Sequence, residues 1–258
     1  MYSPKRTEKR VSTTEFETAQ WTAEELQQKV LNLNPKVAVF DCDGTLWDGD
    51  AGFGFMEWSL EQGLVSRSTS DWIDTRHRAY RAGSVSEVQI CGEMVQIYAG
   101  LRETELREAA ARYVNEFVLP RVFPEIAQLV ADLQAAGVVI WAVSSTNKWV
   151  VAEGVKAFAI PEERVIAAEA AVVDGTITST LVDVPTDEGK AVALRRVGLN
   201  RPDAVFGNSI HDLAMLEMAA NAFAINPSPA LLQAAVRNGW GWFRPAGAEG
   251  MLSDIVGK

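Results

Sequence analysis

The chain has 258 residues, 48% hydrophobic and 22% charged, enough to bury one large core or a core with a smaller companion. That composition excludes a stapled miniprotein, a fibrous chain and a disordered one. Asp and Glu outnumber Lys and Arg by 34 to 24, for a net charge of -10, and no long basic stretch follows the short KRTEKR near the start, so a broad nucleic-acid-binding face is excluded.

No apolar run approaches the roughly 18 residues that a membrane span needs, and the first residues lack the apolar core of a secretion signal. The two cysteines, Cys42 and Cys91, stand in no metal-binding spacing, so free or buried thiols in a reducing compartment are expected. The expectation is a soluble cytoplasmic protein that engages neither membrane nor nucleic acid; whether it forms a homo-oligomer is left open.

Residues 1–20 are polar and aperiodic and read as a flexible arm. Thr22 with Glu25 forms a capping box, Leu26, Val30 and Leu31 give helical spacing, and Asn34-Pro35 stops the helix. Val37–Phe40 is a short apolar run suited to a strand covered on both faces, and it ends in Asp41-Cys42-Asp43-Gly44-Thr45. From 50 to 118 the pattern is helical, in four stretches with Gly, Ser or Thr at their ends. A helix ending at Gly137 then feeds the apolar run 138–143, which terminates in Ser144-Ser145-Thr146-Asn147. Asp174-Gly175 marks a two-residue hairpin. Residues 189–199 are helical, and 204–206 form a third strand ending in Gly207-Asn208-Ser209-Ile210-His211-Asp212. A helix and a fourth strand at 222–225 follow.

Short buried strands separated by helices predict an α/β fold, a Rossmann-like parallel sheet with helices on both faces. The helical interval is too long for one crossover and reads as an inserted all-helical domain at 50–118, leaving 21–49 and 119–258 as the α/β core. In an open parallel sheet, ligands bind at the carboxyl ends of the strands. Three strands end there in polar residues: Asp41 and Asp43, Ser144 and Ser145, and Asn208 and Asp212. Two carboxylates two residues apart would repel each other unless a cation lay between them, and oxygen ligands at that density suit Mg²⁺. Asp41 is then a candidate nucleophile, because a carboxylate can carry a covalent phosphoryl group.

Phe40-Asp41-Cys42-Asp43-Gly44-Thr45 resembles the first motif of the haloacid dehalogenase superfamily. Val143-Ser144 resembles its second, Lys190 its third and 207–212 its fourth, in the family's order from about 36 to 226. The resemblance implies a Mg²⁺-dependent phosphatase that hydrolyses a small phosphomonoester through an aspartyl-phosphate. Asp41 would be the nucleophile and Asp43 the general acid and base, with Gly44 and Thr45 shaping the turn. Ser144, with the Ser145 amide, would bind phosphoryl oxygens, and Lys190 would offset negative charge. Asp41, Asp43 and Asn208 would hold the metal, with Asp212 either a further ligand or the holder of a metal-bound water. Asn208 departs from the family's usual Asp, which predicts weaker Mg²⁺ binding. His211, one of two histidines, would either sit beside the site or, more commonly, be a surface residue at a helix start.

The insert resembles the cap of phosphoserine phosphatase-like members. Asp50, nine residues after Asp41, stands where relatives acting on amine-bearing esters carry an acid, and would either face an ammonium group or be solvated. Phosphoserine phosphatases also use a cap arginine, whereas residues 82–101 contain no Lys or Arg, which disfavours phosphoserine itself. Trp47, Phe53, Phe55, Trp58 and Trp72 either surround an ammonium group or, more commonly for such spacings, pack a core. A phosphotransferase or mutase on the same scaffold, a receiver-like phosphoacceptor and a silent metal-binding relative are the competing readings. Halide removal is disfavoured because the family's dehalogenases lack the second aspartate, here Asp43.

Overall fold

The computed structural model describes residues 19–248. Strand β1 (Gln20–Trp21) is its first element, so the end of the expected arm belongs to the sheet, and residues 1–18 lie outside the described part. Helix α1 (Ala23–Asn32) has the predicted capping box: the Glu25 amide donates to Thr22 Oγ1 at 3.1 Å, and the Thr22 amide donates to the Glu25 carboxylate at 2.8 Å. Strand β2 (Val37–Phe40) follows, then α2 (Ala51–Glu61), α3 (Arg67–Arg81), α4 (Glu87–Gln96) and α5 (Glu103–Tyr113), the last continuing into a π-turn over Val114–Val118. The remaining elements are α6 (Pro124–Ala135), β3 (Val139–Asn147), α7 (Lys148–Gly154), β4 (Val165–Val173), β5 (Thr176–Asp183), α8 (Glu188–Arg196), β6 (Ala204–Gly207), α9 (Leu213–Glu217), β7 (Ala222–Ile225), α10 (Pro229–Asn238) and β8 (Trp242–Phe243).

The strands form one sheet in the order β1-β8-β7-β6-β2-β3-β4-β5, parallel at every pairing except β4 with β5. The expected parallel sheet is therefore mixed, with an antiparallel edge. Asp174 (φ 49°) and Gly175 (φ 72°) both take positive φ, the geometry of a tight reversing turn, so β5 must run back along β4. Strand β4 extends well upstream of the hairpin expected from Val172; its alanines at 167, 168, 170 and 171 carry little strand preference of their own. Strand β3 continues through the polar Ser144–Asn147, with a register irregularity against β4.

Both sheet faces are covered. Along β2, Ala38 and Phe40 join a cluster with Leu26 and Val30 of α1 and Leu129 and Leu133 of α6, while the intervening Val39 packs with Leu194, Met215 and Leu231 from α8, α9 and α10. Period-two alternation makes that division. Between β2 and β3 the chain is helical, as expected for 50–118, and it is packed down on the sheet. Phe55, Tyr98 and Tyr113 share one apolar cluster with Leu46, Trp47 and Val150, α5 packs on α7, and α4 packs on β4 and β5. The insert thus forms a wall over the carboxyl ends of the central strands.

Candidate active site

The site is built where β2 and β6 end side by side. Phe40 stacks on Phe206 with ring centroids 4.1 Å apart, and the Asp41 amide donates to the Phe206 carbonyl at 2.9 Å. That pairing brings Asp41 and Asn208, both almost fully buried, to one floor. Gly44 takes φ +72°, and a Cβ there would lie 1.9 Å from Asn208 Nδ2, so only glycine lets the loop after Asp43 pass beside the carboxamide.

From the first turn of α8, the buried Lys190 ammonium donates to Asp41 at 2.6 Å and to Asp212 at 2.5 Å. Thr45 Oγ1 donates to the other Asp41 oxygen at 2.9 Å. The second Asp212 oxygen accepts from the amides of Asn208 and Ser209, each at 2.9 Å. Asp212 thus orders its own loop and anchors the lysine with all the oxygen surface it has. Burial first, and then the Asp212 charge, push the Asp41 carboxyl up to about 7 against the opposing pull of Lys190. Burial pulls the Lys190 ammonium down, but Asp212 and Asp41 outweigh it and hold the group above its usual range. Two acids share one cation, so this floor carries surplus negative charge.

Asp43 lies in the same cleft. One of its oxygens accepts from Trp47 Nε1 at 2.6 Å and from the Ala51 amide at 2.9 Å, and the other accepts from Thr146 Oγ1 at 2.6 Å. Burial raises its pKa, and these three donors offset part of the rise. Ser144 is buried with its Oγ accepting from the Thr146 amide at 3.1 Å, and Ser144 and Ser145 both line the cleft. Asp50 caps α2 by accepting from the Phe53 amide at 2.8 Å. It is open to solvent yet enclosed by the cleft walls, so desolvation first, and then Asp43 and Glu87, push its carboxyl upward. The cleft holds about 500 Å³, within the usual range for small-molecule sites.

Asp41, Asp43, Ser144, Ser145, Lys190 and Asn208 therefore meet at one cleft, with Thr45 and Asp212 directly behind. Of the five aromatic candidates, Phe53 lines the cleft and Trp47 touches Asp43; Phe55 is core, Trp58 is half-buried and Trp72 is exposed. Both cysteines are free and buried, and Cys91 forms part of the wall.

The sequence pattern gives Thr146 and Glu87 no role, offers Trp47 only as an aromatic beside an ammonium group or in the core, and favours the surface for His211. His211 instead lines the cleft, its Nδ1 2.7 Å from Asp187 and its Nε2 3.8 Å from Glu87 Oε2. Thr146 carried a usable signal, since it lies two residues past Ser144 in the same strand. Glu87 and His211 meet only through the packing of the insert, which no local pattern encodes.

Among the described residues no three Asp, Glu, His or Cys side chains converge as a ready metal site. The donor chemistry still fits a hard dication that needs few protein ligands: two carboxylates, Asp41 and Asp43, and the Asn208 carboxamide oxygen border one negatively charged cleft. No described helix is long and apolar enough to cross a membrane.

A profile of the haloacid dehalogenase-like hydrolase family matches residues 38–217, spanning the strand ends that carry all of these floor residues. The chain belongs to that family. This haloacid dehalogenase-like hydrolase is 24% identical over 214 residues to a histidinol-phosphatase of Neisseria meningitidis, covering 79% of this chain and 96% of the relative. It is 26% identical over 221 residues to a phosphoserine phosphatase of Mycobacterium tuberculosis, covering 79% and 68% of the two chains. Among solved structures, a Bordetella pertussis protein of unknown function aligns with a TM-score of 0.72 at 23% identity over 80% of this chain and 97% of its own. A phosphoserine phosphatase with a phospho-aspartyl intermediate analogue aligns at 0.56 and 17% identity, over 86% and 97%; both likenesses bear on the fold. Its likeness to phosphatase-named members sets this haloacid dehalogenase-like hydrolase beside the phosphoserine phosphatase-like branch of the family.

Proposed function

We propose that the enzyme hydrolyses a small phosphomonoester through an aspartyl-phosphate on Asp41, with Mg²⁺ as cofactor and residues 50–118 as the cap that encloses the leaving group. The single observation that carries this reading is the arrangement of Asp41: a buried carboxylate clamped by Thr45 and Lys190 on the floor of a cleft shared with Asp43.

Asp41 attacks phosphorus through a carboxylate oxygen while the bond from phosphorus to the ester oxygen breaks. Asp43 gives its proton to the leaving alkoxide; the upward push of burial on its pKa suits that role. Asp43, now ionised, takes a proton from a water that attacks the aspartyl-phosphate, breaking the bond between phosphorus and Asp41 and releasing phosphate. The Ser144 hydroxyl and the Ser145 amide hydrogen-bond the transferring oxygens, and Lys190 keeps Asp41 ionised and in place. Asp41, Asp43 and Asn208 would hold Mg²⁺, which when bound supplies positive charge opposite the phosphoryl oxygens. Asp212 contributes through Lys190 and the Asn208 loop.

Hydrolysis of a panel of phosphomonoesters, with and without Mg²⁺ and with Asp41→Asn alongside, tests this reading. Histidinol phosphate heads the panel because the neisserial relative is named for it. Intact mass after rapid quench should show one phosphoryl group on the wild type and none on the variant. Undiminished turnover by Asp41→Asn would remove Asp41 from the nucleophile role.

A further inference from the structure

The wall opposite the phosphoryl floor carries charge that the chemistry above does not use. Glu87, at the start of α4, points one carboxylate oxygen, Oε1, at Cys91 Sγ, 3.5 Å away. Its other oxygen, Oε2, is shielded from solvent and has no donor within 3.5 Å among the described residues. The cation facing it is the His211 ring, whose Nε2 stands 3.8 Å away, beyond hydrogen-bond length, and whose Nδ1 is engaged with Asp187. Tyr80, His77 and Asp50 are among its other polar neighbours: the Tyr80 hydroxyl is pushed up by burial and then by its hydrogen bond to the Glu87 carboxylate, and Asp50 is raised in part by the same carboxylate. A shielded carboxylate oxygen without a donor is costly, and such atoms are rare in folded proteins unless something else supplies the donor.

The composition of the cleft says what that donor is. Four acids line it, Asp41, Asp43, Asp50 and Glu87, and Lys190 is the single Lys or Arg among the described lining residues, already shared by Asp41 and Asp212. Arg81 lies over the Phe53 ring at 5.3 Å but borders a neighbouring outer pocket. Phe53 and His77, with ring centroids 4.4 Å apart, and Tyr80 supply aromatic surface beside the two wall carboxylates. Aromatic faces next to unpaired carboxylates receive organic cations well and repel anions.

We propose that Glu87 is a specificity-determining residue of this enzyme, its unpaired Oε2 receiving a cationic nitrogen on the leaving alcohol, so that the substrates are phosphomonoesters of amino alcohols or similar cationic alcohols. The proposal rests on the hydrolase reading of Asp41 and extends it from the phosphoryl end of the substrate to the other end. A leaving group that also bears a carboxylate meets repulsion from Asp50 and Glu87 and finds no partner on this wall.

The test compares phosphoethanolamine with propyl phosphate, which replaces the ammonium by a methyl group of similar size, in wild type and Glu87→Gln. The wild-type ratio of kcat/KM for the cationic over the neutral ester should exceed about tenfold, and Glu87→Gln should lower it about tenfold, the usual worth of a hydrogen bond to a charged group. Histidinol phosphate serves as a bulkier cationic probe and should lose in parallel with phosphoethanolamine. Glu87→Asp, which keeps the charge, should retain the cationic preference, and Glu87→Arg should shift the ratio of phosphoserine to phosphoethanolamine toward phosphoserine. A ratio unchanged in Glu87→Gln, or a wild type that prefers propyl phosphate, would overturn the inference while leaving the hydrolase reading intact. If the wild type turns over none of these esters but hydrolyses others of the phosphomonoester panel, the inference fails and the hydrolase reading stands; if it hydrolyses no phosphomonoester, the hydrolase reading fails. Calorimetric binding of phosphoethanolamine and propyl phosphate to Asp41→Asn, with and without Glu87→Gln, then decides the Glu87 inference by itself: equal affinities for the two esters would end it.

Discussion

The floor and the wall of the cleft are built on opposite terms. On the floor, Asp41, Lys190, Asn208 and Asp212 are each at most 4% exposed, and every charge among them has a partner of opposite sign. On the wall, Asp50 is open to solvent, Glu87 keeps an oxygen without a donor, and His211 reaches across at ion-pair distance only. Asp41, Asn208 and Asp212 of the floor come from loops that leave the adjacent strands β2 and β6, and Lys190 from the first turn of α8, so the geometry of the floor is set largely by hydrogen bonds that also hold the fold. The wall comes from helices inserted between β2 and β3, held by side-chain packing and by hydrogen bonds to the β4–β5 hairpin at the edge of the sheet, such as Gly100 amide to Ile177 carbonyl at 2.8 Å. A site divided in this way keeps its chemistry fixed while its selectivity can drift with the insert.

The strongest way to sharpen the contrast is to remove floor charges one at a time. Asp41→Asn should lower kcat by at least about a thousandfold, because the covalent route then has no nucleophile, while circular dichroism reports an intact fold. Lys190→Ala should be nearly as damaging to turnover. It should also cost about 3–5 kcal/mol of stability by urea titration, since two buried carboxylates lose the cation they share. If instead Lys190→Ala melts like wild type, the floor is less tightly coupled to the fold than its hydrogen bonds imply.

The same division explains how much was legible in the sequence. Asp41, Asp43, Ser144 and Asn208 could be found because apolar strand runs stop at polar loops, and strand order brings those loops together; Lys190, on a helix, was legible only through the family resemblance. The capping box at Thr22 and the Asp174-Gly175 reversal were equally readable, each being local backbone chemistry. Strand β4 was missed because alanine carries no strand signature, and the polar end of β3 was missed because apolar runs were taken to mark strand ends. Glu87 and His211 were not readable as a pair: they lie far apart in sequence and face each other only after α4 docks on the sheet.

Thr146 tests how the floor tunes its acid. Its hydroxyl donates to Asp43 at 2.6 Å and so favours the ionised carboxylate. Thr146→Val should lower kcat about tenfold through lost positioning. It should also raise the Asp43 pKa, so the alkaline limb of the kcat profile, where the acid form runs out, moves to higher pH. A fall in kcat with no movement of that limb would assign Thr146 to packing alone.

The smallest effect expected concerns stability without metal. In the fold the Asp41 carboxyl is raised to about 7 from an ordinary value of 3.8, which it regains on unfolding. Between those values the folded chain holds a proton that the unfolded chain has released, so rising pH erodes stability through that window, and the full penalty persists above it. Asp41→Asn removes the titrating charge and, with it, the surplus carboxylate beside Lys190. The difference in melting temperature between metal-free Asp41→Asn and metal-free wild type should therefore become more favourable to the variant from pH 5 to pH 8, by about 3 °C. Lys190 keeps Asp212 as its partner in the variant, so the lost hydrogen bond offsets the gain to a similar extent at both pH values. Added Mg²⁺ should then raise the wild-type melting temperature at pH 8 more than that of the variant. A difference that is flat with pH, or that turns against the variant as pH rises, would mean that Lys190 fully neutralises Asp41 and that the floor holds no surplus charge for a dication to meet.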